Sequence, residues 1–236
     1  MPPFSHLDYV NQSPGLTMVK DLQSKIIACS QEFSDLLGFS EHKKAIGSYD
    51  YDLPCDAKHG LENFRYQDLQ AIENGEHIAI DIYRYANNEI KMIYHKKSRL
   101  VVNSQPIGLS FTGFDLSFGH KLSEKIFNLI SNDRHYLKID TLKSLSYNFQ
   151  NTYPNFALNK KESLCLYYLL RGKSNQEISN RLHLSCRTIE GKISEIRGKM
   201  GCKTRQQLIE LCIEKGYLNI ILKDLLNQTN LSINLS

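Results

Sequence analysis

The sequence predicts an α+β fold class, with an N-terminal antiparallel sheet flanked by helices, a connector helix and an all-α C-terminal domain of four helices. Ile78, Ile80 and Ile82 alternate with polar or small residues, the period of a half-buried strand. The second half instead repeats helix caps followed by apolar residues at helical spacing. The charge is also divided, with a net −4 over residues 1–120 and a net +6 over residues 155–220.

Composition limits the kind of protein. The 236 residues are 41% hydrophobic and 23% charged, as in a globular chain of one large or two ordinary domains. No run approaches the roughly 18 apolar residues of a membrane span, and the first residues lack a secretory signal pattern. The six cysteines have no paired spacing, so we expect free thiols in the cytoplasm and neither a disulfide framework nor a metal site.

Strands and helices alternate in the N-terminal half. Thr17–Asp21 and Lys25–Ala28 are predicted to form a hairpin, and Ser30 to cap a helix that ends at Gly38. A second helical region is predicted over Asp56–Glu73. Three antiparallel strands should follow, beginning near Ile78, Ile90 and Ile107, with turns at Asn87-Asn88 and at Asn103 to Pro106.

That element order resembles a PAS sensor domain over residues 10–118. The resemblance rests on Val19-Lys20-Asp21, Cys29-Ser30-Gln31-Glu32-Phe33, Leu36-Leu37-Gly38-Phe39-Ser40, Gly47 and Gly113-Phe114-Asp115. The chain departs from the family near Cys29-Ser30, where an Asn is usual. The resemblance implies a small cavity between the sheet and its helices, for a ligand that the sequence does not identify.

Candidate cavity residues are mostly apolar, and packing of the core is the alternative role for most of them. They are Phe33, Leu37, Tyr49, Cys55, Phe64, Ile80, Met92, Tyr94 and Phe111, with Phe39, Leu53, Ile82 and Leu109 as further candidates. Tyr49 to Asp52 are predicted to supply polar contacts. His59 and His95 each stand alone, which favours a structural role over a haem ligand, and Cys55 lacks the Asn-Cys-Arg context of a flavin photosensor.

Residues 119–154 are predicted to be a helical connector. Its first part carries an apolar stripe, Leu122, Ile126, Phe127 and Ile130. Such a helix either mediates dimerisation and passes signals onward or packs on its own sheet. Residues 219–236 are predicted to be a helical extension or a tail.

Four capped helices are predicted over residues 155–218. Their caps are Asn159, Ser174, Ser185 and Thr204. The third helix places Ile189, Ile193, Ile196 and Met200 on one side. The second and third helices are separated by about three residues, which is the arrangement of a helix-turn-helix whose second helix enters the major groove of DNA.

The outward face of the third helix and two nearby helix N-termini are the predicted DNA contacts. Cations and helix N-termini suit phosphates, whereas Glu190 and Ser194 suit base edges. Glu190 has two alternatives, an intrahelical ion pair or simple solvation. Gly191 and Gly198 either let the helix backbone approach DNA or are merely tolerated. The candidate residues are Lys173, Ser174, Asn175, Arg187, Thr188, Glu190, Gly191, Lys192, Ser194, Arg197, Lys199, Lys203, Thr204 and Arg205.

The same region resembles the LuxR-type helix-turn-helix. The matching blocks are Gly172-Lys173-Ser174-Asn175-Gln176-Glu177-Ile178, Leu184-Ser185-Cys186-Arg187-Thr188-Ile189-Glu190 and Lys199-Met200-Gly201-Cys202. The family often has His at the position of Lys192 and a basic or polar residue at that of Gly191. These departures leave the operator sequence undetermined, but they do not affect the fold that the resemblance implies. The resemblance implies a DNA-binding domain that usually acts as a dimer.

The whole chain therefore resembles bacterial PAS–LuxR transcription regulators. We expect a homodimer that binds double-stranded DNA, with the N-terminal domain sensing a small molecule. The alternative is the same DNA-binding fold with a ligand-free N-terminal interaction module. An enzyme is not expected, because no P-loop, metal-ligand spacing, nucleophile elbow or paired-carboxylate motif occurs.

Overall fold

The computed structural model describes residues 6–117 and 145–227. The described chain divides into two compact units, one formed by residues 6–117 with 145–148 and the other by residues 149–227. The predicted apolar stripe of the connector and the last nine residues lie outside the described residues. Within the described ranges, no helix combines the length and hydropathy needed to cross a membrane.

The N-terminal unit contains four helices. They are α1 (His6–Gln12), α2 (Gln31–Leu37), α3 (His42–Ala45) and α4 (Leu61–Asn74), with 3₁₀ turns at Asp50–Asp52, Asp56–Gly60 and Ala86–Asn88. The Ser30 side chain accepts the Phe33 N–H at the start of α2, and Gly38 ends this helix with φ 85°. Both ends of α2 therefore lie where the sequence predicts them, because a hydroxyl cap and a left-handed glycine are strong local signals.

The strands of this unit are β1 (Leu16–Asp21), β2 (Ile26–Cys29), β3 (Glu76–Arg84), β4 (Ile90–Val102), β5 (Gln105–Asp115) and β6 (Leu145–Gln150). Their order in the sheet is β2–β1–β5–β4–β3–β6. The pairs β1–β2, β1–β5, β3–β4 and β4–β5 are antiparallel. This succession of strands and helices is the PAS-like fold that the resemblance implies.

Strand β6 corrects the prediction of a helical connector over residues 119–154. Residues 145–150 are extended and follow β3 in the sheet. The alternation Tyr147 and Phe149 with Ser146 and Asn148 is a strand pattern. This strand was not predicted, because the residues before it are mostly polar and suggest that the connector continues to residue 154.

The apolar core beneath the sheet comes from one face only. It contains Met18, Ile26, Phe33, Leu37, Phe64, Tyr83, Ile93 and Phe111. Since neighbouring residues on a strand face opposite sides, Ile93 shares its side of β4 with His95, whereas Met92 and Tyr94 belong to the opposite side. Ile80 is fully buried on that opposite side of the sheet.

The C-terminal unit contains four main helices. They are α5 (Lys160–Leu170), α6 (Asn175–Leu182), α7 (Cys186–Lys199) and α8 (Arg205–Glu214), followed by a 3₁₀ turn at Tyr217–Asn219, β7 (Ile220–Leu222) and α9 (Lys223–Asn227). Its core joins all four main helices through residues that include Leu166, Ile178, Ile193 and Leu208. Tyr153, Ile220 and Leu225 also belong to this core, so its packing extends beyond residues 155–218 on both sides.

Candidate nucleic-acid interface and buried cavity

Helices α6 and α7 are joined by a tight turn. The Ser174 hydroxyl accepts the Glu177 N–H and the Glu177 carboxylate accepts the Ser174 N–H, which fixes the start of α6. His183 ends α6 in the left-handed conformation (φ 53°), and Ser185 caps α7. Three residues thus separate the two helices, in agreement with the predicted helix-turn-helix.

One side of α7 is buried and the other is open. Ile189 and Ile196 are 0% exposed and Ile193 is 5% exposed, which confirms the predicted inward side. Residues that face away from this stripe are exposed, including Arg187, Thr188, Glu190, Gly191, Ser194 and Gly198. The buried isoleucines therefore hold α7 with a row of small and polar side chains towards solvent.

The cations of α7 differ in what they contact. In the described part of the chain, Arg187 and Lys192 form no ion pair or side-chain hydrogen bond, so both remain available to a phosphate. Arg197 instead donates to the Lys203 carbonyl over 2.8 Å. Lys199 donates to Glu162 over 2.7 Å and to the Ala157 carbonyl over 3.3 Å. These contacts engage the Lys199 ammonium within the domain while its side chain stays 38% exposed, and its role as a phosphate ligand stays a prediction.

Arg205 connects the N-termini of two helices. Its guanidinium donates to the Asn175 side chain over 2.8 Å and to the Lys173 carbonyl over 3.3 Å. Thr204 caps α8 by accepting the Gln207 N–H. The starts of α6 and α8 are therefore neighbours, and helix N-termini are of the kind that bind phosphate.

The two glycines of α7 have open surroundings. A Cβ placed on Gly191 or Gly198 would have no heavy atom within 4 Å apart from the excluded local backbone. Packing within the domain therefore does not require glycine at either position. A glycine in a helix lowers helix stability by about 1 kcal/mol relative to alanine. No contact inside the domain offsets this loss at either position.

The N-terminal unit encloses a cavity of about 40 Å³ between its sheet and helices. Among the predicted residues, Phe33, Leu37, Phe64, Phe111 and also Asp50 and Leu53 line it. The other candidates do not line it: Tyr49, Cys55, Ile80, Met92, Tyr94, Phe39, Ile82 and Leu109. For Ile80, Met92 and Tyr94 the reason is the side of the strand, because their neighbours Asp81, Ile93 and His95 face the cavity instead.

Two lysines and two aspartates form an ion-pair network at this cavity. The Lys20 Nζ donates to both Asp50 carboxylate oxygens over 2.7 Å and lies 3.2 Å from Asp68. Lys97 donates to Asp68 over 2.5 Å. Burial alone raises the pKa of Asp68, but Lys97 and Lys20 outweigh it and hold this pKa well below its ordinary value. Asp68 therefore stays ionised between the two cations.

A second polar group surrounds Asp81. His95 Nε2 lies 2.8 Å from one Asp81 oxygen, and Gln67 and Ser146 donate to the other. Burial raises the pKa of Asp81, while the nearby His95 and the hydrogen bonds lower it, and the net shift is downward. Within the described ranges, His95 Nδ1 and Gln67 Oε1 are buried without a hydrogen-bond partner.

Sequence analysis missed Lys20, Asp81 and Lys97 as cavity residues. Buried charges are rare unless they are paired, and the partners here are 48 and 29 residues apart along the chain. The sequence does carry one hint of polar residues in the cavity. Strand β4 has polar residues on both of its sides, so the pattern does not decide which side faces the core. No cluster of three His, Cys, Asp or Glu side chains suited to a metal ion occurs among the described residues.

Comparison with known proteins places the C-terminal helices in a family. Residues 157–212 match the family described as bacterial regulatory proteins, luxR family. The oxygen regulatory protein NreC of Staphylococcus aureus is 33% identical over 67 residues, which cover 28% of this chain. The chain covers 31% of the length of this curated relative.

Solved structures also resemble the chain. VqmA of Vibrio cholerae in the absence of target DNA is 25% identical, with 92% of this chain and 90% of that chain covered and a TM-score of 0.47. A PAS domain of a LuxR-family regulator from Burkholderia thailandensis, in complex with ethanol, is 15% identical and covers 49% of this chain and 100% of that one, with a TM-score of 0.38.

The family match spans α5, α6 and α7 and most of α8, the same helices whose caps and buried isoleucines define the exposed face. Residues 157–212 of this chain therefore match the luxR family of bacterial regulatory proteins over the helix-turn-helix described above.

Proposed function

We propose that the chain is a sequence-specific, DNA-binding transcription regulator that acts as a homodimer in the cytoplasm. The observation that carries the proposal is the outward side of α7, where Arg187 and Lys192 form no ion pair or side-chain hydrogen bond in the described part of the chain. The neighbouring starts of α6 and α8 add two helix N-termini. Cations and helix N-termini position a protein on phosphates, and short polar side chains read base edges.

Glu190 and Ser194 are the proposed base-reading residues. Both are exposed on α7, and Glu190 forms no ion pair among the described residues. A carboxylate accepts a hydrogen bond from cytosine N4, and each such contact contributes about 1 to 3 kcal/mol of discrimination between bases. Arg187, Thr188 and Lys192 are the proposed phosphate contacts, and they contribute affinity with little choice of sequence.

Selection from a randomised pool of DNA duplexes by the full chain tests this proposal. We expect a selected duplex to bind at least about 10³ times more tightly than a scrambled one. Glu190→Ala should reduce that ratio, whereas Glu32→Ala, a matched loss of an exposed carboxylate on α2, should leave it unchanged. Equal affinity for selected and scrambled duplexes would contradict sequence-specific binding.

We further propose that the cavity of the N-terminal domain binds a small molecule. Buried polar atoms are almost always hydrogen-bonded, and Nδ1 of the cavity residue His95 has no such bond in the described chain. This favours a ligand or trapped water over a purely structural interaction module. Native mass spectrometry of the purified chain tests both points, because a dimer mass and a co-purified small molecule are read from one spectrum. A monomer without additional mass would contradict both.

A further inference from the structure

We propose that β6 is a relay strand, through which the state of the cavity reaches the chain segment that enters the DNA-binding domain. This inference rests on the proposed function for its final step only. Its first steps depend on contacts inside the N-terminal unit, where Ser146 and Asn148 tie β6 to side chains beneath the sheet.

Ser146 is the main attachment of β6. It is 1% exposed, and its hydroxyl contacts three side chains, two from β3 and one from α4. The hydroxyl donates to Asp81, lies 3.1 Å from the Tyr83 hydroxyl and lies 3.4 Å from Gln67 Nε2. A hydroxyl that contacts a buried carboxylate forms a charge-assisted hydrogen bond, which is stronger than a neutral one. The position of β6 therefore depends on where the Asp81 carboxylate lies.

Asp81 shares its two oxygens between β6 and the cavity. One oxygen accepts from Ser146 and the other lies 2.8 Å from His95 Nε2. His95 is 0% exposed, lines the cavity and stacks on Phe111 with ring centroids 4.8 Å apart. A change in the position of the His95 ring therefore acts on Asp81, which is the group that holds Ser146.

The second attachment lies two residues further along β6. His77 Nε2 donates to the Asn148 side-chain oxygen over 2.9 Å. Burial lowers the pKa of His77 to about 4, so this imidazole is neutral near pH 7. Asn148 is the last β6 residue of the N-terminal unit, and the next residue, Phe149, belongs to the C-terminal one. Tyr153, five residues after Asn148, is already part of the core of the DNA-binding domain.

These contacts form a short covalent and hydrogen-bonded route: cavity, His95, Asp81, Ser146, and then the backbone that continues into the C-terminal domain. His95 Nδ1 has no partner in the described part of the chain, so an occupant of the cavity has a free ring atom through which to act. Ser146 and Asn148 are positioning residues in this scheme, because they do not line the cavity and act through Asp81 and His77.

Amide hydrogen exchange of the full chain tests the relay in the absence of any added ligand. His95→Asn removes the contact with Asp81, and Ser146→Ala removes the attachment of β6. We expect each to raise the exchange rate of residues 145–150 at least tenfold. Leu109→Val, a conservative change at a buried residue that does not line the cavity, should leave that rate within twofold. Equal exchange in His95→Asn and Leu109→Val would overturn the proposal, and His95→Gln replaces His95→Asn if the latter fails to fold.

The affinity for a selected duplex tests the last step. We expect Ser146→Ala to change this affinity, and His95→Asn to add no further change in the Ser146→Ala background, because both act through one connection. Additive effects would overturn the relay. If the full chain binds no duplex, the proposed function fails by itself, and the exchange experiment still decides whether β6 responds to His95.

Discussion

Lys199 Nζ lies 2.7 Å from Glu162 Oε2, so an ion pair joins the end of α7 to the start of α5. Glu162 is only 1% exposed, and its carboxylate also accepts the Asn159 N–H as part of a capping box. The pair ties the last turn of α7 to the first turn of α5. It also separates Lys199 from Arg187 and Lys192, which have no such partner among the described residues.

Lys199→Met should therefore lower stability without changing how the domain contacts DNA. Loss of the cation leaves the buried Glu162 carboxylate without its ion-pair partner, and we expect a loss of about 1 to 2 kcal/mol in the free energy of unfolding, since Lys199 itself is partly exposed to solvent. Urea denaturation measures this loss. The salt dependence of DNA affinity, measured where both proteins are folded, should match wild type. A shallower dependence would instead make Lys199 a phosphate contact.

Gly191→Ala and Gly198→Ala separate helix stability from the approach to DNA. Each should stabilise the folded chain by up to about 1 kcal/mol, because alanine is the better helix former and the added methyl meets nothing. If the backbone at Gly191 approaches DNA, Gly191→Ala should reduce affinity about tenfold despite this gain. Thermal denaturation and fluorescence anisotropy give the two quantities. Unchanged affinity in Gly191→Ala would show that this glycine is only tolerated.

Asp68→Asn should strongly destabilise the N-terminal domain. It leaves Lys20 and Lys97 buried, with Lys97 lacking a carboxylate partner, and we expect a loss of about 3 to 5 kcal/mol. Glu41→Gln, which removes the exposed ion pair with Lys44, is the matched control and should cost less than about 1 kcal/mol.

The acid stability of Asp68→Asn should also differ. The Asp68 pKa is depressed in the folded chain, so its contribution is complete above the ordinary pKa of 3.8 and is lost as pH falls below that value. The variant should therefore lose less stability than wild type below about pH 4. Parallel pH profiles for the two proteins would contradict the assigned network.

His77→Gln should flatten the pH dependence of stability in a different range. The folded pKa of His77 is about 4, below its ordinary value of 6.5. The unfolded chain therefore takes up a proton between these values that the folded chain does not, and wild-type stability falls as pH decreases from 6.5 towards 4. The glutamine amide can still donate to Asn148. Urea titrations at pH 7 and pH 5 should show a loss smaller by roughly 1 to 2 kcal/mol in the variant, and an identical loss would contradict the burial of a neutral His77.

The sequence predicts best the features that depend on residues close together in the chain, such as helix caps and the apolar side of a helix. The predicted caps Ser30, Asn159, Ser174, Ser185 and Thr204 all accept the expected N–H groups. A cap depends on residues only three positions apart, and the isoleucines of α7 repeat within one helix. The helix-turn-helix and its outward side could therefore be predicted with little reference to the rest of the chain.

The cavity could not be predicted in this way. Its polar lining depends on pairs such as Lys20 with Asp68 and His95 with Asp81, which only the completed sheet brings together. Sequence analysis placed the apolar side of β3 and β4 towards the cavity. In the structure the polar side of these strands faces the cavity instead, with Asp81, His95 and Lys97. Burial of these side chains is possible because Asp81 pairs with His95, and Lys97 pairs with Asp68 of α4.

The slope of log Kd against log salt concentration for a selected duplex tests the central claim most directly. Arg187→Ala/Lys192→Ala should weaken binding at least tenfold and reduce the magnitude of the slope by about 2, since each lost phosphate contact changes it by about 0.9. Lys43→Ala/Lys44→Ala, which removes two exposed cations of the N-terminal domain, should change neither quantity. Wild-type affinity and slope in the α7 variant would contradict the assignment of this helix face to DNA.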